Sequence, residues 1–191
     1  NISELSTIDV TLTKAQLYNY IESICALVDF ARFNLAQTAE EVKSLAVKYD
    51  VPIFFDECDV VVKVLEWGKT ELNSIDYTDM VWLPVELSMN ARAFQKDFIF
   101  IDECQDQSLM SIELFLKCFK RGTRFIAVGD EDQCINTFCG SSEEAFQYMK
   151  DYPKTTQFDL PICYRCPKTV VELAKTLVPD IKCREDAPKG D

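Results

Sequence analysis

The sequence predicts an α/β fold in which a parallel β-sheet follows a mainly α-helical region. Apolar residues recur every three or four positions through the first half of the chain, as they do on the buried side of amphipathic helices. The second half contains two short apolar runs, at residues 98–101 and 124–128, with a helical pattern between them. This strand, helix, strand order is typical of a parallel sheet, because parallel strands need a crossover connection.

Three helices are predicted within the first 95 residues. The first follows the cap residue Thr13, and the second begins at Thr38, which forms a capping box with Glu41 three positions later. A third helix is predicted over residues 57–72, although the valines at 60–62 are also compatible with a strand. The apolar positions that define these three helices are Leu17, Tyr20, Ile21, Ile24, Leu27 and Val28, then Val42, Leu45, Ala46 and Tyr49, then Val61, Val64, Leu65 and Leu72.

The two apolar runs of the second half predict strands that are buried on both faces of the sheet. A helix is predicted between them over residues 108–120, and its apolar side carries Leu109, Ile112, Leu116 and Phe119. The remaining predicted elements are helices at residues 143–150 and 168–177 and a strand at residues 155–158.

The composition is that of a folded, acidic protein. The 191 residues include 20 Lys and Arg against 32 Asp and Glu, which gives a net charge of −12, and 48% are hydrophobic, so a disordered acidic tail is excluded. The chain shows neither a run of about 18 uncharged apolar residues nor a signal peptide, so we expect no membrane partner. Nine cysteines, an odd number, favour free thiols in a reducing cytoplasmic or nucleoid-like compartment. The acidity requires any nucleic-acid contact to use a local groove or parts outside these residues.

Acidic and amide side chains follow both predicted strands of the sheet. Asp102 and Glu103 come directly after the first strand, and Asp130 and Gln133 follow the second. Ligands of open parallel sheets bind at the carboxyl ends of the strands. An apolar strand followed by Asp-Glu has the form of a Walker B element, in which one carboxylate helps to hold Mg²⁺ and the next activates water. The alternative for an isolated Asp-Glu pair is a solvated acidic turn.

Three segments in a fixed order resemble the UvrD/Rep/PcrA-like DNA helicases of superfamily 1 (SF1A). Residues 98–106, which read Phe-Ile-Phe-Ile-Asp-Glu-Cys-Gln-Asp, resemble helicase motif II, and residues 126–140 resemble motif III. Residues 160–174, with the Tyr164–Arg165 pair, resemble motif IV. Upstream, residues 75–80 resemble the short acidic-aromatic element that precedes motif II in these enzymes. The resemblance implies a parallel sheet of the RecA-like P-loop NTPase type, incomplete here, with a mainly α-helical insertion subdomain.

The resemblance also implies roles for individual residues in ATP hydrolysis. Asp102 would help to bind Mg²⁺, and Glu103 would be the base that orients the attacking water. Gln133 would sense the γ-phosphate, and Arg165 would contact it with its planar guanidinium group. Tyr164 would stack on the adenine. ATP and Mg²⁺ are therefore the expected cofactors.

Two residues of motif III are implied to face DNA. Phe138 matches the aromatic residue that stacks on a base of single-stranded DNA. Asn136 and Cys139 stand where the family usually has an aromatic residue and an arginine, so Asn136 is a second candidate contact. The expected partners are single-stranded DNA, or a junction of single- and double-stranded DNA, and the remaining domains of the same helicase.

The chain contains no Gly-x-x-x-x-Gly-Lys-Ser/Thr loop to hold the phosphates of ATP. We therefore expect an internal fragment of an ATP-dependent DNA helicase, inactive in hydrolysis on its own. By the resemblance, residues 1–95 would be a helical 1B-like insertion that returns to the core, residues 96–160 the RecA-like core with motifs II and III, and residues 161–191 motif IV and the start of a second motor domain.

Three alternatives remain open from the sequence. The chain could be a non-catalytic domain with a helicase fold that serves regulation or partner binding, which would suit the missing phosphate loop. It could be a Mg²⁺-dependent nuclease that uses paired metal ions. Four cysteines could form a zinc site, although small polar replacements explain them without metal. The nuclease ligands would be Asp102, Glu103, Asp130 and Asp132, and the zinc ligands Cys134, Cys139, Cys163 and Cys166.

Overall fold

The computed structural model describes residues 13–134 and 143–190, with side chains for all of these except Glu143. The chain divides into a larger unit that ends at Asp151 and a smaller unit that begins at Tyr152. The mixed α/β class and the parallel strand pairing predicted from the sequence are confirmed. Within the described residues, no helix is both long and apolar enough to span a bilayer.

Four helices open the larger unit, and three of them are those predicted. They are α1 (Lys14–Asn34), α2 (Ala39–Lys48), α3 (Glu57–Gly68) and α4 (Asp79–Glu86). The predicted capping box at Thr38 is present, and the predicted cap residue Thr13 forms one as well. Each threonine side chain accepts the N–H three residues ahead, and each threonine N–H donates to the side chain of that residue, which is Gln16 or Glu41. The valines at 60–62 lie inside α3, so the strand alternative for them is excluded. Helix α4, which contains Pro84, was not predicted from the sequence.

The sheet of the larger unit consists of two parallel strands joined by a helix. They are β1 (Lys96–Ile101), α5 (Leu109–Lys117) and β2 (Phe119–Ala127), and they are followed by α6 (Glu143–Lys150). Helix α5 is shorter and β2 longer than predicted. The chain passes directly from Cys118 into β2. Lys96 pairs with Phe119 but Phe98 pairs with Arg124, so the register shifts between them, and Gly122, with φ of +90°, lies within this irregular part of β2.

The prediction that both strands are buried on both faces is wrong. One face of the sheet packs on α5 and α6 around Ile101, Ile112, Ala145 and Met149. On the other face Phe98 is 55% and Phe100 70% exposed. A helix layer covers only one face of β1 and β2 among the described residues, so the apolar side chains of the other face lie at the surface of this chain.

A buried arginine fastens the end of α1 to the start of α4. The guanidinium group of Arg32 donates at 2.9 Å to both Asp76 and Asp79, and at 2.5 Å to Asp29 within its own helix. Asp76 in turn accepts the N–H of Asp79 at 2.7 Å. The network therefore holds residues 75–80, the acidic-aromatic element, against the helical core.

The smaller unit contains the strands β3 (Ile162–Cys163) and β4 (Lys182–Cys183), which pair in parallel, and α7 (Lys168–Ala174) between them. The predicted strand at residues 155–158 is wrong. Those residues form no ladder, and Phe158 is 84% exposed. A strand needs a hydrogen-bonding partner, and residues 162–163 are the ones that find it in β4. Helix α7 is confirmed but ends three residues before the predicted end.

Candidate functional site

The two acidic loops lie side by side at one edge of the β1–β2 sheet. Ile101 pairs with Ala127, so the carboxyl ends of both strands reach the same edge. Beyond the pair, the N–H of Val128 donates to the carbonyl of Ile101 and the N–H of Cys104 donates to the carbonyl of Val128, both at 2.9 Å. The structure thus places the loop with Asp102 and Glu103 next to the loop with Asp130 and Gln133.

The side chain of Gln105 joins these two loops. It is buried, with 3% of its surface exposed. Its amide nitrogen donates to the Glu103 carboxylate at 2.8 Å, and its amide oxygen accepts the N–H of Asp130 at 3.0 Å. A buried glutamine that uses both ends of its amide fixes the relative position of the two loops. In the sequence Gln105 is only one residue of motif II, and nothing there predicts a role for it.

Gly129 is required by the close approach of the two loops. A Cβ atom at this position would lie 2.5 Å from the Gln105 amide oxygen and 2.6 Å from the Cys104 sulfur. Both atoms belong to groups that hydrogen bonding or burial holds in place, so neither can move without disturbing the edge of the sheet.

We expect Gly129→Ala to destabilise the chain by about 1 to 3 kcal/mol, because the added methyl group forces the two loops apart. Urea denaturation followed by far-ultraviolet circular dichroism measures this change. Gly68→Ala is the matched control. Its new Cβ would meet Trp82 at an ordinary 3.6 Å, so its stability should stay equal or rise slightly. Equal stabilities for wild type and Gly129→Ala would contradict the close packing described.

The first loop presents its two carboxylates to solvent on a constrained backbone. Asp102 and Glu103 are exposed, while Cys104 and Gln105, which follow, are buried. Glu103 has φ of 48° and ψ of 49°, in the left-handed region that non-glycine residues rarely adopt. Its N–H donates to the Asp102 carboxylate at 3.0 Å. Such backbone conformations persist where surrounding contacts enforce them, and they are frequent at functional sites.

The second loop holds Gln133 through Asp130. The Gln133 amide nitrogen donates to one carboxylate oxygen of Asp130 at 2.6 Å, and the other oxygen accepts the N–H of Asp132 at 3.1 Å. Since Asp130 is itself bonded to Gln105, a continuous path runs from Glu103 through Gln105 and Asp130 to Gln133. Glu103 and Gln133, two of the predicted site residues, are therefore connected through Gln105 and Asp130.

Cys104 forms the floor of the first loop. Its side chain packs into the apolar cluster beneath the sheet. Burial raises the pKa of this thiol, and the nearby carboxylates of Glu103 and Asp102 raise it further. Cys104 is therefore a packed thiol at the base of the first loop.

An open groove of about 710 Å³ lies between the second loop and α6. Four carboxylates, those of Glu131, Asp132, Glu144 and Asp151, line it. A polyphosphate would be repelled by this lining, so the groove is unsuited to the phosphates of a nucleotide.

Within residues 13–134 and 143–190, no group of three or more His, Cys, Asp or Glu side chains converges to hold a metal ion. The four carboxylates of the nuclease alternative therefore do not assemble into a paired-metal site there. A single carboxylate such as Asp102 still suits Mg²⁺, which proteins commonly bind through one or two carboxylates together with substrate phosphates and water. Asp102 at this edge of the sheet fits such binding of Mg²⁺ through a single carboxylate.

Comparison with known proteins decides the family. The sequence model of the UvrD/REP helicase N-terminal domain matches residues 6–154, which contain both acidic loops and the Arg32 network. This chain belongs to the UvrD/REP helicase family. The match ends before Tyr164 and Arg165. It therefore covers the segments that resemble motifs II and III but not the segment that resembles motif IV.

Curated members of the UvrD/REP family align with part of the chain. The ATP-dependent DNA helicase Rep of Buchnera aphidicola subsp. Baizongia pistaciae is 25% identical over 113 residues, which are 56% of this chain and 17% of that protein. The enzyme of the same name from Escherichia coli K12 is 26% identical over 113 residues, again 56% of this chain and 17% of the relative. The alignment thus spans less than a fifth of each helicase.

The other predicted site residues of this UvrD/REP chain lie elsewhere. Tyr164 and Arg165 follow β3 in the smaller unit, where both side chains are exposed, Tyr164 at 69%. Asn136 and Phe138, the candidate DNA contacts, lie outside the described residues. Cys139, one of the four candidate zinc ligands, lies outside them as well. The eight cysteines of the described residues are free thiols, as the sequence analysis predicted.

Proposed function

We propose that this chain is part of an ATP-dependent DNA helicase that couples ATP hydrolysis to movement along single-stranded DNA and to duplex unwinding. The observation that carries the proposal is the hydrogen-bonded path from Glu103 through Gln105 and Asp130 to Gln133. It joins the two loops at the sheet edge where open parallel sheets bind ligands, in a segment that matches the UvrD/REP family. These loops would belong to a RecA-like core that other parts of the protein complete.

Hydrolysis would be carried out at the first loop. Asp102 would hold Mg²⁺, which when bound polarises the phosphate oxygens and offsets their charge. Glu103 would accept a proton from the attacking water and orient it toward the γ-phosphate. Two features support this role, the exposure of the Glu103 carboxylate and the hydrogen bond from Gln105 that sets its direction. A catalytic carboxylate that is already held in place loses little freedom on reaching the transition state.

Communication between nucleotide and DNA would run through the second loop. Gln133 would respond to the γ-phosphate, and Asp130, which accepts its hydrogen bond, is fixed to the first loop by Gln105. A shift of Glu103 on hydrolysis would therefore be transmitted to Gln133 by direct contacts. Phe138 follows Gln133 by five residues, so the same segment of chain would carry the change to a base of the DNA.

The smaller unit would contribute the remaining contacts to ATP. Arg165 would bind the γ-phosphate through its guanidinium group, and Tyr164 would stack on the adenine. Both side chains are exposed and are therefore accessible to a nucleotide. We propose, too, that this chain alone does not hydrolyse ATP, because its sequence has no Gly-x-x-x-x-Gly-Lys-Ser/Thr loop.

The proposed DNA substrate is compatible with the acidity of the chain only if other domains supply most of the basic groove. A net charge of −12 repels a phosphate backbone, so the contribution of this chain would be stacking rather than charge neutralisation. An intracellular, reducing location would suit the free cysteines.

The direct test is an assay of the complete protein for DNA-stimulated ATP hydrolysis and for unwinding of a duplex with a single-stranded tail. Unwinding that requires ATP supports the proposal. Partner binding without nucleotide turnover would instead support the regulatory alternative, and cleavage of DNA without ATP would support the nuclease.

In the complete protein, Phe138→Ala is expected to weaken single-stranded DNA binding by about 5- to 150-fold, because stacking of one base on an aromatic ring contributes about 1 to 3 kcal/mol. Fluorescence anisotropy with a labelled oligonucleotide measures the affinity. Phe158→Ala, which changes an exposed phenylalanine outside motif III, serves as the matched control. Basal ATP hydrolysis should change little in either variant. Unaltered DNA affinity in Phe138→Ala would remove this residue from the DNA interface.

A further inference from the structure

Two cysteines of the smaller unit are in direct contact and are not used in the proposed function. Cys163 is the last residue of β3, and Cys166 lies three positions later, just before α7. The N–H of Cys166 donates to the Cys163 sulfur at 3.4 Å, which places the two residues next to each other. Both side chains are half-buried, which leaves them within reach of a small reagent.

The contacts make the two thiols chemically different. The pKa of Cys163 is lowered, first by the N–H of Cys166 and then by the N–H of Arg165, because both donate to the thiolate. The pKa of Cys166 is raised, first because its thiol donates to Cys163. Near neutral pH, Cys163 is thus the more ionised of the two and the better nucleophile, while Cys166 is held next to it as a thiol.

A third thiol lies close by on the neighbouring strand. Cys183 of β4 is the register partner of Cys163 in the parallel pair, so it competes for the same sulfur. The hydrogen bond that the Cys163 sulfur accepts, however, comes from Cys166. Cys166 is therefore the partner that the local geometry favours.

We propose that Cys163 and Cys166 form a dithiol site that a low-molecular-weight disulfide such as glutathione disulfide oxidises reversibly to an intrachain disulfide. The Cys163 thiolate attacks one sulfur of the small disulfide, and a mixed disulfide forms as one small thiolate leaves. Cys166 then loses its proton to solvent and attacks the Cys163 sulfur, and the second small thiolate leaves. Two protein thiols are oxidised and one small disulfide is reduced to two thiols, so electrons and atoms balance.

Oxidation would close a ring that contains Tyr164 and Arg165. The backbone between the two cysteines would then be fixed by a covalent bond instead of a hydrogen bond. If these residues contact ATP, which rests on the proposed function, the disulfide would alter nucleotide affinity. The dithiol site itself does not depend on that function, and its test needs no nucleotide.

The test is to equilibrate the folded chain in glutathione redox buffers, block the remaining thiols by alkylation and analyse tryptic peptides by mass spectrometry. Trypsin cleaves after Lys154, Arg165 and Lys168, so the expected disulfide links residues 155–165 to residues 166–168. This linked pair should form in wild type and in Cys183→Ser, and it should be lost in Cys163→Ser. Cys166→Ser should accumulate a glutathione adduct on Cys163, because the second step is blocked.

Two results would overturn the proposal. One is a disulfide that links Cys163 to Cys183 in wild type in place of Cys166. The other is a wild-type chain whose cysteines at 163 and 166 stay reduced in buffers of fully oxidised glutathione while the chain remains folded by circular dichroism. A second measurement is independent of all variants: iodoacetamide should modify Cys163 faster than the exposed Cys25 at pH 7, and denaturant should remove that difference.

Discussion

If the proposed function holds, Glu103→Gln is expected to lower ATP turnover of the complete protein by about 10²- to 10⁴-fold, which is the usual contribution of a positioned general base. The amide that replaces the carboxylate cannot accept the proton of the attacking water. It can still occupy the same volume and contact the Gln105 side chain, so the loop should keep its shape. Nucleotide affinity should therefore change little. Steady-state hydrolysis and binding of a fluorescent ATP analogue measure the two quantities separately.

The matched control is Glu22→Gln, the same chemical change at an exposed position of α1. It should leave both turnover and nucleotide affinity unchanged. If Glu103→Gln keeps near wild-type turnover, Glu103 is not the base and the chemistry assigned to the first loop is wrong. A parallel loss of nucleotide affinity would point to a disrupted loop rather than to a missing base.

Arg32→Met is expected to lower the free energy of unfolding by about 2 to 4 kcal/mol, because it leaves three carboxylates gathered without their cation. The Arg32 side chain is only 11% exposed, and Asp79 is 19% exposed, so these charges are poorly screened. Asp29 and Asp76 are about half exposed, so water screens their charges. The expected loss in the free energy of unfolding is therefore smaller than for a fully buried network. Urea denaturation of the chain measures the loss.

Arg92→Met provides the control, because Arg92 is exposed and precedes β1 by only a few residues. Its effect should stay within about 0.5 kcal/mol.

A second prediction concerns the dependence of stability on pH. Burial acts to raise the pKa of Asp76, but the N–H of Asp79 and the guanidinium group of Arg32 outweigh it, and the net pKa is lowered. The carboxylate therefore adds stability above its ordinary pKa of 3.8, and that stability is lost as the pH falls through the lower folded value. Equal stabilities of wild type and Arg32→Met at pH 7 would contradict this account.

Local sequence signals predicted most of the secondary structure. The cap at Thr13 and the capping box at Thr38 formed as expected, because a cap depends on residues three positions apart and on little else. The strand at 155–158 was wrong, since a strand exists only when another strand pairs with it. Helix α4 was missed because it is short and contains Pro84, which is unfavourable inside helices unless packing compensates.

The residues of the candidate site were predictable from the sequence, but the hydrogen bonds that connect them were not. The sequence placed Asp102, Glu103 and Gln133 just after two strands, and parallel pairing brings such residues to one edge. The role of Gln105 could not be predicted, because a glutamine between acidic residues is usually solvated. Only its burial and its two hydrogen bonds reveal that it connects the loops.

The sequence by itself determined the helix caps, the order of strand, helix and strand, the acidic ends of both strands and the family, because each depends on neighbouring residues or on motif order. The tertiary structure decided which residues meet across long separations. Arg32 reaches Asp76 and Asp79, and Gln105 reaches Asp130, over 25 to 47 positions of the chain. It also decided that one sheet face remains exposed. The physical reason is that such contacts follow from how helices and strands pack together, and no local pattern of residues encodes that packing.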